Sequence, residues 1–162
     1  MMELELTRTP DDRRRYALGD LGTLRLQGFA SRSAAAETAD GSWSFSRRGL
    51  FARGVDAYDS AHTDVGAFEP RSLRRGGIVR WHGRELLLRA ASSWRERYAL
   101  ADADRELAVF DGKGWGRRPV KVSLADADVD PGLLLFTAFV VRGLANDASA
   151  AAAGGSTAAV SG

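Results

Sequence analysis

The stretch Asp130-Pro131-Gly132-Leu133-Leu134-Leu135-Phe136-Thr137-Ala138-Phe139-Val140-Val141-Arg142-Gly143-Leu144 is apolar on every side of the helix it would form. Asp130 can accept hydrogen bonds from the first free amides, Pro131 fits the first helical position, and Gly143 can take the left-handed turn that ends a helix. A helix over residues 131–143 is predicted. A bilayer span needs about 20 apolar residues, so this segment is too short to cross one. A helix that is hydrophobic all round has no face to offer water, and the rest of the chain must enclose it.

The preceding sequence supplies the enclosure. From Glu3 to Leu124 it consists of short alternating segments cut by Gly, Asp and Pro, the pattern of antiparallel strands and tight turns. Leu24 and Leu26 share one face, as do Trp43 and Phe45. Val79 and Trp81 before His82-Gly83, with Leu86 and Leu88 after, predict a hairpin across 77–90. Tyr98 and Leu100, a polar turn over 102–105, and Leu107 and Val109 predict the next. Val120, Val122 and Leu124 form a last strand. The Ala-rich segment 32–40 reads as a strand because its neighbours are strands and its length is marginal for a helix. Residues 60–72, with Gly66 and Pro70, read as a loop flanking a short strand.

About ten to twelve strands result, more than an open sheet usually holds without curling, and closure removes the exposed edges. The predicted fold is mainly β, a closed antiparallel barrel around a buried C-terminal helix. Side chains alone do not fill a barrel of this width. At about 1.5 Å per residue the helix is on the order of 20 Å long, the height of strands of six or seven residues. Residues 1–145 would form this barrel. Beyond Asn146 the chain is Ala, Gly, Ser and Thr with Val160 as the one larger apolar residue, so 146–162 is expected to be a disordered tail.

Composition adds bounds rather than chemistry. The chain has 162 residues, 44% hydrophobic, which suits one globular domain. Its 23 Lys and Arg against 21 Asp and Glu leave a formal charge of only +2, so bulk charge does not predict nucleic-acid binding. Cysteine is absent, which excludes disulfides and thiol catalysis. Together with a start, Met1-Met2-Glu3-Leu4-Glu5-Leu6, that lacks a basic and apolar leader, this gives an expected cytoplasmic location.

Gly76-Gly77-Ile78-Val79-Arg80-Trp81-His82-Gly83-Arg84, the segment from Trp94 to Phe110 with its Asp-rich turn, and Asp130-Pro131-Gly132-Leu133-Leu134-Leu135 at the start of the helix together resemble the tubby C-terminal domain superfamily. Its LURP-one-related and phospholipid-scramblase-like branches are included in the likeness, which covers about residues 3–145. The resemblance implies a many-stranded barrel closed on a C-terminal apolar helix and a non-enzymatic role linked to phosphoinositides, membranes or lipids. The chain departs from the better-known branches in having neither a cysteine cluster nor a calcium loop, and it has no match to a phosphoinositide-binding Lys/Arg motif. No family site residue carries over.

The residues themselves identify no reaction. His62 and His82 have no further His or Cys at ligand spacing, so they read as surface histidines and no metal is expected. Asp102, Asp104 and Glu106 alternate as calcium ligands do, but without the Gly and Glu positions of a calcium loop they read as a solvated turn. Asp111-Gly112-Lys113-Gly114 has the content of a phosphate cradle but not its spacing. Ser42, Ser92 and Ser93 lie in no nucleophile elbow. Lys113, Arg117, Arg118 and Lys121 gather round Trp115, a mixture suited to anionic headgroups, and Arg47-Arg48 and Arg74-Arg75 place further pairs where a barrel shows its rims. The expected function is a non-catalytic, cofactor-free barrel that binds anionic phospholipid through these residues, peripheral at the inner membrane face. The alternative is a protein-interaction or scaffold module whose arginines serve solubility. A small-molecule carrier ranks last, because the helix occupies the lumen.

Overall fold

In the computed structural model the described residues are 2–49, 54–71, 76–91, 97–112, 120–126 and 128–161, with side chains in the last segment described as far as Asp147. The predicted alternation becomes twelve strands: β1 Met2–Arg8, β2 Arg15–Leu18, β3 Gly22–Gln27, β4 Ser33–Thr38, β5 Gly41–Arg47, β6 Val55–Asp59, β7 Asp64–Pro70, β8 Gly76–Trp81, β9 Arg84–Ala90, β10 Arg97–Asp102, β11 Arg105–Asp111 and β12 Val120–Leu124. One helix, α1 Pro131–Ser161, follows, and a 3-10 turn, Phe29–Ser31, lies between β3 and β4. Every strand pairs antiparallel with its neighbours in sequence, and β1 closes the barrel against β12 with Leu4 opposite Val122. The fold class expected from the sequence is the one observed.

Alternation places the core. Leu24 and Leu26, Trp43 and Phe45, Val79 and Trp81, Leu86 and Leu88, and Val120, Val122 and Leu124 all point inward and are buried. Outward positions such as Glu5, Arg25, Arg80, Glu85 and Lys121 are exposed and charged, so these strands lack the apolar outer band of a membrane-spanning barrel. Among the described residues no helix is long and apolar enough to cross a membrane.

The helix fills the lumen. Its residues from Leu133 to Val141 are at most 2% exposed, on every side. Burying Leu133, Leu134, Leu135, Phe136, Phe139, Val140 and Val141 contributes roughly 1.5–3 kcal/mol apiece before entropy. Thr137, the one polar residue in the run, satisfies its hydroxyl by donating from Oγ1 to the Leu133 carbonyl at 2.8 Å. Asp130 is the expected cap: its Oδ1 accepts from the Gly132 amide at 2.9 Å, while its Oδ2 accepts from Trp81 Nε1 at 2.8 Å. Trp81 in turn stacks on Phe136 at 5.5 Å and meets Trp43 at 5.8 Å between ring centroids. Gly132 fits between them, because a Cβ there would lie 2.9 Å from Trp43 Cη2 and 3.0 Å from Trp81 Cζ2.

One expectation needs correction. Gly143 does not end the helix, which runs on to Ser161, so the segment 146–162 expected to be a disordered tail falls almost entirely within α1. Leu144 and Ala145 are still buried, and packing carries the helix through. Gly143 serves another purpose: the Arg47 guanidinium crosses the helix there, 3.6 Å from where a Cβ would stand, to reach Asp147 at 2.8 Å. The hairpin of Tyr98 and Leu100 with Leu107 and Val109 forms as β10 and β11, with one irregularity. A register shift between Leu100 and Ala101 opposes Leu100 to Ala108 and Ala101 to Glu106, leaving Leu107 as the extra residue and turning Ala108 and Phe110 inward. The short strand expected within 60–72 is β7, seven residues long with Pro70 at its end, where a missing amide costs least.

Candidate functional site

An up-and-down barrel sorts its connections into two sets. The helix enters at the rim that carries the turns β2–β3, β4–β5, β6–β7, β8–β9 and β10–β11 and the segment from β12 to α1. It leaves at the opposite rim, which carries the connections β1–β2, β3–β4, β5–β6, β7–β8, β9–β10 and β11–β12. Between strands, the entry rim holds Asp20, Asp40, Asp104, Asp126, Asp128 and Asp130, and no Lys or Arg. The described connections of the exit rim hold Arg13, Arg14, Arg32, Arg48 and Arg71 against Asp11 and Asp12. Opposite charge therefore collects at opposite ends of the barrel, and the chain's near-neutral total conceals it.

The sequence-predicted site residues divide accordingly. Arg47 and Arg48 stand at the exit rim, but both are engaged. Arg47 is held by Asp147. Arg48 Nη2 meets Asp56 at 2.8 Å and Glu69 at 2.7 Å, and its Nε donates to both Asp56 oxygens at 3.0 Å. The hydrogen bonds to Asp56 and then to Glu69 hold its proton more firmly than usual. These two arginines clamp β5 to β6, β7 and the helix, and are not poised to receive a ligand. Arg74, Arg75, Lys113, Trp115, Arg117 and Arg118 lie outside the described residues. The strand ends flanking them, Pro70 and Gly76 on one side of the barrel and Asp111 and Val120 on another, belong to the same exit rim.

Sequence reasoning passed over the cations that the described structure leaves open. Arg13, Arg14 and Arg71 are exposed and make no ion pair among the described residues. Arg13 and Arg14 follow Asp11-Asp12, so their charge cancels locally in the sequence. In the fold Asp11 pairs with Arg15 at 3.8 Å and Asp12 with Arg25 at 2.8 Å, which leaves Arg13 and Arg14 uncompensated. The Arg14 amide, and then the Arg25 guanidinium, hold the Asp12 carboxyl below its usual range. Inside the same rim Arg142 leaves the barrel on α1. Burial pushes its guanidinium below the usual arginine value, Tyr16 opposes that, and the neighbouring Arg47 charge adds to it.

The exit rim also carries an exposed aromatic. Phe29 is 92% exposed in the β3–β4 connection, where Gly28 (φ 74°), Ala30 (φ 54°) and Ser31 (φ 55°) all adopt left-handed backbone. Such a conformation costs roughly 1–2 kcal/mol for a residue with a Cβ. The turn is nonetheless fixed: the Arg47 amide donates to the Arg32 carbonyl at 2.9 Å, and Arg32 Nη2 donates to the Gly49 carbonyl.

The entry rim offers no comparable chemistry. A depression of about 520 Å³ is lined there by Asp40, Asp59, His82, Asp128 and Asp130 beside Trp43. Among the described residues no group of three or more His, Cys, Asp or Glu is arranged to hold a metal ion. His62 and His82 stand exposed in the β6–β7 and β8–β9 turns. Asp126 accepts from the Asp128 amide at 3.0 Å and from Arg105 at 2.5 Å, and in that order these hold its carboxyl below the usual range. Comparison with protein-family models, curated proteins and solved structures found no match.

Proposed function

We propose that this chain is a non-catalytic barrel module that docks on anionic phospholipid surfaces through its exit rim. The observation that carries the reading is the partition of charge between the rims, cationic where the helix leaves and acidic where it enters. A cation near an anionic bilayer is worth about 1 kcal/mol, and a concentration of them at one end gives the approach a direction. The lumen supports the same reading from the other side: filled by α1, it holds no substrate, so recognition falls to the rims. The likeness to the tubby superfamily, whose members are linked to phosphoinositides and membranes, agrees with it.

Co-sedimentation with vesicles tests the proposal. Binding is expected to phosphatidylcholine vesicles containing phosphatidylserine, not to phosphatidylcholine alone, and to weaken as salt shortens the screening length. Replacing Arg13, Arg14 and Arg71 by alanine removes three exposed cations worth about 3 kcal/mol in all, roughly a hundredfold in partitioning. Equal recovery with neutral and anionic vesicles would overturn the reading and leave the scaffold alternative in its place.

A further inference from the structure

We infer that Phe29 is the membrane-inserting anchor of this rim, entering the interfacial region of an anionic bilayer once the surrounding arginines have drawn the barrel to it. The inference rests on the proposed membrane reading and adds the apolar contact that charge alone lacks.

Three observations carry it. Phe29 is 92% exposed, so its ring contributes next to nothing to the core, and nothing in the fold accounts for an aromatic there. The backbone does not tuck the ring in. Gly28, Ala30 and Ser31 each take positive φ, bending the connection so that Phe29 stands at its tip. A turn of this kind persists only where the surroundings fix it, and the Arg47 amide and the Arg32 guanidinium do so. Finally, the neighbours are cations. Arg32 follows in the same connection, and Arg13 and Arg14 project from the adjacent one, β1–β2. An aromatic ring among arginines matches the boundary of an anionic bilayer, where headgroups meet acyl chains. At the acidic rim the one large exposed apolar residue among those described is Met2, 42% exposed.

The chain contains no cysteine, so Phe29→Cys creates a unique attachment point for a nitrobenzoxadiazole fluorophore. Asp40→Cys, exposed on the opposite rim, is the control. With phosphatidylserine-containing vesicles the label at position 29 is expected to brighten several-fold and shift to the blue, while the label at position 40 stays unchanged. Because an attached dye adds its own affinity, unlabelled Phe29→Ala is measured as well. It should bind anionic vesicles like the wild type at low salt, lose about tenfold in partitioning at physiological salt, and unfold at the wild-type temperature. Vesicle binding with no spectral change at position 29, or with Phe29→Ala equal to wild type at every salt concentration, overturns the anchor and leaves the membrane reading standing. Absence of binding to any vesicle overturns both.

Discussion

Gly132→Ala is the sharpest test of how the helix enters the barrel. In most helices the change stabilises, since glycine is about 1 kcal/mol less favourable than alanine. Here the new Cβ would stand 2.9 Å and 3.0 Å from Trp43 Cη2 and Cζ2, and 3.0 Å from Trp81 Cζ2. Neither ring can retreat. Trp43 is 9% exposed and Trp81 4%, they touch each other, and Trp81 Nε1 is tied to Asp130. Overpacking of this kind costs about 1–3 kcal/mol, so against the gain in propensity the net effect is a loss of up to about 2 kcal/mol, or up to about 8 °C in unfolding temperature for a chain of this size. Urea denaturation followed by tryptophan fluorescence measures it. Trp43→Phe shortens the obstructing ring, so the double variant should lose less than the two single changes together. If Gly132→Ala is more stable than wild type, helix propensity has won and the two tryptophans do not form a tight gate.

Asp130 has two partners, and its variants separate them. Asp130→Ala strips the helix cap and strands the Trp81 indole, which should cost about 2–4 kcal/mol by urea denaturation, whereas Asp130→Asn keeps one of the two acceptors and should cost about half as much. Acid should destabilise the barrel through Asp12 and Asp126: both carboxyls lie below their usual value in the fold, so their contribution is full above the unfolded value and is lost as pH falls through the folded one. The unfolding temperature should hold from pH 7 to about 5 and drop below about pH 4, less steeply in an Asp12→Asn, Asp126→Asn variant; an unchanged slope would refute the assignment.

The strands were legible because each buries one face, and the alternation of Trp43 with Phe45 or of Val120 with Val122 admits one orientation toward the core. The helix was legible because it is apolar all round and Asp130-Pro131 marks its start. Its end was not. Gly143 carries a stop signal, yet Leu144 and Ala145 beyond it are buried, and Arg47, which crosses the helix there, is about a hundred residues away in sequence and close only in the closed barrel. The outward turn of Val109 was hidden for a similar reason, because a register shift belongs to a pair of strands and not to one. The rims were the least legible part. Arg13 and Arg14 are neutralised on paper by the aspartates beside them, and Arg47 and Arg48 look open in the sequence until Asp147, Asp56 and Glu69 arrive from other elements.

Closure of β1 on β12 and the plugging of the lumen by α1 set the order in which the chain meets its own core. During synthesis β1 waits for its closing partner more than a hundred residues downstream, and the segment that dries the interior follows every strand it fills. Until then Leu24, Phe45, Phe68 and Leu88 line an unfilled trough. Folding of the barrel is therefore postponed until β12 and α1 have been made, and the nascent chain must be kept from its neighbours in the meantime. A truncation ahead of Leu133 removes the cork and leaves a permanent nascent intermediate, a species for chaperones and proteases rather than a smaller barrel.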